Sequence, residues 1–267
     1  MSFKLPDGPV PAKKDCAQEL ILCHGISGMG KTTFLAGAVK SALAAKQTAI
    51  LITPKKERGA EYHAIPRVVV ADWYEFAEVV QELEKKPRDV VALDGIDALI
   101  EVCGDAVCKS QSPPWETPDD PGYGKGWAKV ADEFCKWLDR LRALDCTIYA
   151  SSQSRWENSQ QTREITKYLP AIPGTKSVYL QILRRCGIIG FLHRPVTEEV
   201  KQGEGGEKPR AGLIASGERW LHLQPTEFYE TKCRVPGLPD GIALGGPDEM
   251  FTRFIALFGK GVNGKKK

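Results

Sequence analysis

Residues 19–33 read Glu-Leu-Ile-Leu-Cys-His-Gly-Ile-Ser-Gly-Met-Gly-Lys-Thr-Thr. The run 19–25 is apolar and stops at a glycine, the pattern of a short buried strand. Residues 31–45, KTTFLAGAVKSALAA, are rich in helix formers. Between them, Gly25 to Thr32 satisfies G-x-x-x-x-G-K-[ST] in full. At average residue usage, a chain of this length meets that pattern by chance about once in a hundred. The residue types fit one task. Gly25, Ile26, Ser27, Gly28, Met29 and Gly30 let backbone N–H groups curl around phosphate oxygens. Lys31 reaches the β- and γ-phosphates, the Thr32 hydroxyl faces Mg2+, and Thr33 continues the cradle into the first helical turn, whose positive end faces the anion. ATP with Mg2+ is the ligand pair this loop implies.

Moving outward, 48–53 (TAILIT), 67–71 (RVVVA) and 89–94 (DVVALD) read as further buried strands, and 72–86 as a helix capped by Asp72. Strands alternating with helices predict an α/β fold with a mainly parallel sheet flanked by helices. Asp94 closes its strand at the carboxyl edge, where α/β sheets bind ligands, and is expected to hold Mg2+ together with Thr32. Asp97 is expected on a helix surface.

The chain has 267 residues, 42% hydrophobic and 27% charged, with a net charge of +3. These values exclude bulk disorder and a fibrous repeat, and they point to no partner by overall charge. No apolar run approaches the roughly 20 residues of a membrane span. The beginning lacks a secretory apolar core, and the eight cysteines contain no CxxC pair. They predict reduced thiols in a cytoplasmic protein with no membrane partner. Cys103 and Cys108 lack a second half for a metal site. Residues 1–17 read as a lead-in, 18–258 as one domain and 259–267 as a basic, flexible tail.

Residues 110–126 carry four prolines and three glycines and predict a long loop. An amphipathic helix over 127–144 leads to a strand over 146–152, tipped by Ser151-Ser152-Gln153. The polar stretch from 154 is expected to be a loop. Residues 154–194 hold seven Lys/Arg against two Glu. Arg155, Trp156, Arg163, Lys167 and Tyr168 mix cations with stacking rings, as sequence-tolerant binding of single-stranded DNA requires. Trp115, Tyr123, Lys125 and Trp127 add to that set. A solvated loop with ordinary core aromatics is the plainer alternative. Short β-rich runs after residue 187 predict an antiparallel C-terminal extension.

Taken together, the phosphate loop, DVVALDGIDAL, GYGKGW and TKCRVPGLP resemble RecA-like P-loop NTPases, in particular a phage-encoded AAA-family branch with single-strand annealing and recombinase-like members. The resemblance implies a RecA-like core over about 17–258, ATP turnover, and action on single-stranded DNA in a bacterial host cell. It implies as partners further copies of the chain, in a ring or filament, and a single-strand DNA-binding protein. Gln153 takes the position that couples ATP to a DNA-binding loop. Lys232 and Arg234 match the Lys-x-Arg finger of DnaB-type relatives, which reaches a neighbour's γ-phosphate. The catalytic glutamate of such enzymes follows the second strand. Here that place reads Thr53-Pro54-Lys55-Lys56-Glu57, and Glu57 falls a residue or two late. A Glu57 that stops short implies slow turnover with ATP as an assembly switch. Two alternatives stay open: an annealing or mediator module in which nucleotide is structural, and a small-metabolite kinase.

Overall fold

A computed structural model of the chain describes residues 15–158, 165–201, 210–215 and 217–258. The expected basic tail, and all but the last three residues of the lead-in, lie outside these. The parallel strands are β1 (Leu20–Gly25), β2 (Ala49–Pro54), β3 (Arg67–Val70), β4 (Val90–Leu93), β5 (Thr147–Asn158) and β7 (Ile188–His193). They run in the order β7-β1-β5-β4-β2-β3. Because all six point the same way, the residues after Gly25, Pro54, Leu93 and His193 collect on one carboxyl edge.

The helices are α1 (Lys31–Ala44), α2 (Trp73–Lys85), α3 (Ile96–Lys109), α4 (Lys125–Arg142), α5 (Lys176–Arg185) and α6 (Met250–Ala256). They form two layers. One apolar cluster joins α2, α3, α4 and α5 to one sheet face; the other joins α1 and α6 to the opposite face. Asp72 caps α2 as expected, accepting from the Glu75 N–H at 2.9 Å, while Glu75 accepts from the Ala71 N–H at 2.7 Å. Trp73, Phe76, Val80 and Leu83 then bury at helical spacing.

The antiparallel extension is present, but the first of its expected runs, β7, pairs parallel with β1 and belongs to the core sheet. The extension adds β10 (Arg219–His222) and β11 (Lys232–Cys233) to β7, and β12 (Gly241–Gly245) to β10. Strands β8 (Val196–Lys201) and β9 (Arg210–Ala215) make a separate two-stranded ribbon.

One expectation is corrected. The polar stretch after residue 153 is not a plain loop. β5 continues to Asn158 and pairs antiparallel with β6 (Ile165–Pro170), Trp156 opposite Tyr168. The first half of β5 is buried in the sheet; the last four residues are exposed beyond its edge. Polarity hid this strand, because the last four residues of β5 are all exposed and have no buried face to impose alternation.

Candidate functional site

The turn between β1 and α1 builds an open cleft of about 490 Å³ on the carboxyl edge. Ser27, Gly28, Gly30, Lys31, Thr32 and Thr33 line it from the loop, with Asp94, Glu57 and Gln153 around them. Lys31 is only 8% exposed. Its ammonium donates to the carbonyls of Gly25 (2.8 Å) and Ile26 (2.9 Å) and to Gln153 Oε1 (2.9 Å). Burial pulls its pKa down, opposed by Cys23 and the surrounding carboxylates. A phosphate oxygen would replace acceptors already collected by the loop.

Asp94 is 3% exposed. Thr32 Oγ1 donates to its Oδ2 at 2.9 Å, and Ser151 Oγ to its Oδ1 at 2.7 Å. The Ser151 hydroxyl also accepts from the Gly95 N–H at 2.8 Å, so the carboxylate is oriented from both sides. Burial pushes the Asp94 carboxyl pKa up, and the bonds from Ser151 and Thr32 hold it down. An oxygen-only pair of hydroxyl and carboxylate, touching and with the carboxylate buried, fits a hard divalent cation such as Mg2+.

Glu57 reaches the cleft. Its N–H donates to the Pro54 carbonyl at 2.9 Å, so residues 54–57 form a tight turn that folds the chain back from β2. That turn carries Glu57 back from the end of β2 to the cleft. The side chain packs on Gly95, which adopts φ +85°; a Cβ there would lie 3.0 Å from Glu57 Cγ. Burial and the nearby Asp94 and Asp97 push the Glu57 carboxyl pKa up.

Asp97 corrects the expectation of a helix-surface residue. It is buried, lines the cleft, and accepts from the Gln153 N–H at 3.2 Å. Its Oδ1 has no hydrogen-bond partner among the described residues. Its place in the first turn of the helix that follows Asp94 was the available signal. Ser151 was named only as part of a strand tip. Arg219, on β10, also lines the cleft, and nothing in its sequence neighbourhood marked it.

Gln153 stands where the cleft meets the hairpin. Its side chain holds Lys31, and its carbonyl accepts from the Ala171 N–H at 2.7 Å, just past β6. His24, the residue before Gly25, makes a parallel link. Its Nε2 must donate to the Glu230 carbonyl (2.8 Å), so Nδ1 accepts from Ser154 Oγ (2.8 Å). Burial pulls its pKa down to about 3, which keeps the ring neutral.

The expected nucleic-acid residues divide. Trp156 is 55% exposed, and Arg155 is exposed with its guanidinium 5.5 Å from the Tyr179 ring centre. Lys167 pairs with Glu230 at 2.7 Å. Tyr168 stacks on Phe191 at 5.2 Å, inside a ladder with Tyr229. Arg163 lies outside the described residues. In the 110–124 loop, Trp115 sits under Lys129 and Trp127 bonds Asp119. Tyr123 is fully exposed.

Lys232 and Arg234 do not enter the cleft of their own chain. β11 pairs with β7 at Ile188 and Ile189, the opposite end from the loop. Lys232 Nζ donates to the carbonyls of Leu183 (3.0 Å) and Cys186 (2.7 Å), and Arg234 to that of Arg184 (3.1 Å). Both cations therefore do share one ligand, and within the chain it is the carboxyl end of α5.

A family model described as AAA domain matches residues 18–235. The chain belongs to the AAA domain family. The match covers β1 through β11, which includes the whole cleft, so this AAA domain is a nucleotide-binding P-loop module of the ATPase class. Among curated proteins, none matches the chain. The eight cysteines are free thiols, and no metal-ligating cluster occurs among the described residues. No helix among those residues is long and apolar enough to cross a membrane.

Proposed function

We propose that this AAA domain hydrolyses ATP and that the β5–β6 hairpin carries the nucleotide state to single-stranded DNA. The supporting observation is the bond from Lys31 to Gln153. A γ-phosphate competing for Lys31 releases Gln153, which anchors the root of the hairpin that displays Arg155 and Trp156. Thr32 and Asp94 would hold Mg2+, which neutralises phosphate charge when bound. Glu57 accepts the proton of the attacking water; its raised pKa brings it closer to the working pH of a general base. The setting in phage-type recombination or annealing rests on the motif resemblance. Assembly into a ring or filament belongs to the same proposal. A trans-acting role for Lys232 and Arg234 requires them to exchange α5 carbonyls for a neighbour's phosphate.

The test is ATP turnover with and without single-stranded DNA, in the unaltered chain and in Lys31→Ala. Turnover that rises with DNA and vanishes in Lys31→Ala is expected. Turnover indifferent to DNA would remove the hairpin coupling, and normal turnover in a folded Lys31→Ala chain would remove the nucleotide reading. Because Lys31 is buried, that variant is also expected to lose some stability.

A further inference from the structure

The antiparallel extension brings a second cation to the phosphate loop. Arg219 begins β10, two strands from β1, yet its side chain crosses behind the loop. Nε donates to the Met29 carbonyl at 2.9 Å. Gly30 takes φ +96° at the crossing, and a Cβ there would lie 2.9 Å from Arg219 Nε. A break in the β10–β12 register falls between Arg219 and Trp220. Such bulges re-aim a side chain at the rim of a site. Arg219 is 7% exposed, and its second guanidinium nitrogen, NH1, is buried with no hydrogen-bond partner among the described residues.

Its neighbour sharpens the point. β10 pairs with β7 so that Trp220 faces His193, and Arg194, the residue after β7, lies near enough to Arg219 for the two charges to repel. Arg194 Nε is likewise buried without a partner, and neither arginine forms an ion pair among the described residues. Burial and Arg194 both push the Arg219 pKa down. Two like charges held together with unmet donors are costly unless an anion arrives.

We infer that Arg219 is a nucleotide ligand supplied in cis, its free guanidinium N–H groups donating to phosphate oxygens of the nucleotide held by residues 25–32. The inference rests on the nucleotide reading of that cleft. Asp94 and Gln153 reach the loop from the β5–β4 side; Arg219 reaches it from the β7–β10 side, so the phosphates are gripped from both flanks. Nucleotide binding thereby fastens the C-terminal extension to the core.

A purely structural role, bracing the loop through Met29, is separable by chemistry. Glutamine places an N–H donor at the position of arginine Nε and removes the cationic fork beyond it. Arg219→Gln can keep the Met29 bond and lose only the ligand groups; Arg219→Ala loses both. The experiment titrates the full chain with Mg-ATP and with ADP, alongside thermal unfolding, for the unaltered protein, Arg219→Gln and Arg219→Ala. We expect Arg219→Gln to unfold near the unaltered temperature while binding both nucleotides about 10- to 100-fold more weakly, the loss typical of a charge-assisted bond. Arg219→Gln binding at unaltered affinity would overturn the inference and leave the proposed function standing. No nucleotide binding by the unaltered chain would overturn both. Should Arg219→Ala fail to fold, the glutamine variant alone decides.

Discussion

The two edges of the parallel sheet treat charge in opposite ways. At the carboxyl edge, Lys31, Asp94, Asp97, Glu57 and Arg219 are crowded into one cleft, with displaced pKa values and, among the described residues, with unpaired atoms on Asp97 and Arg219. At the amino edge, Lys232 and Arg234 each donate to backbone carbonyls at the end of α5. The C-terminal extension sends two cations to the amino edge and one, Arg219, to the carboxyl edge. The two at the amino edge complete a helix; Arg219 leaves a donor unpaired among the described residues. Groups held against their own electrostatic preference are candidates for ligand chemistry, whereas groups already paired hold the fold.

Substitutions at the two edges should therefore read out in different assays. The largest effect is expected from Glu57→Gln: turnover falls about 10²- to 10⁴-fold while ATP affinity holds. Turnover in the unaltered chain should rise with pH through the Glu57 pKa, which burial places above the ordinary carboxylate value of 4.5. A pH–rate profile measures that limb, and unchanged turnover in Glu57→Gln would erase the contrast between the edges. Next comes the hairpin beyond the carboxyl edge. Trp156→Ala is expected to weaken single-stranded DNA by about 1–3 kcal/mol in a fluorescence titration, the value of one stacked base. Tyr168→Ala should instead lower the unfolding temperature, because that ring packs on Phe191.

A third effect tests whether a neutral group is as constrained as the charged ones. His24 has a folded pKa of about 3 against 6.5 when free. The unfolded chain binds a proton below 6.5 and the folded chain does not, so stability rises with pH across that window. It is present in full above pH 6.5, and about 2 kcal/mol of it is lost by pH 5. Denaturant midpoints for the unaltered chain and His24→Gln should converge as the pH falls; parallel curves would refute the buried neutral ring. The smallest effect belongs to the amino edge. Lys232→Ala and Arg234→Ala should each cost about 1–2 kcal/mol of stability and leave ATP affinity unchanged. A collapse of turnover at preserved affinity in Arg234→Ala would place that guanidinium on a neighbouring chain's phosphate and reverse the comparison.

Much of the cleft was legible because its parts are local or periodic. The loop needs consecutive residues, so Gly25 to Thr32 announced it. Asp94 was legible because an apolar run must end somewhere, and in a parallel strand it ends at the ligand edge. Asp97 was misread, because a helix position following a buried strand looks solvated until the neighbouring β5 closes over it. The hairpin was misread for the reason already given, the lack of a buried face.

The sequence by itself determined the parallel core, the phosphate loop, and which residues could share a face, since these follow from spacing along one chain. Only the tertiary structure decided which edge each face meets. Lys232 and Arg234 share a face by their two-residue spacing, but pairing of β11 with the beginning of β7 turned that face to α5. Arg219 stands 189 positions beyond Gly30 in sequence and meets it through two strand pairings and a bulge. Strand pairing is a choice made between distant segments by the burial of the whole sheet, and no local pattern of residue types carries it.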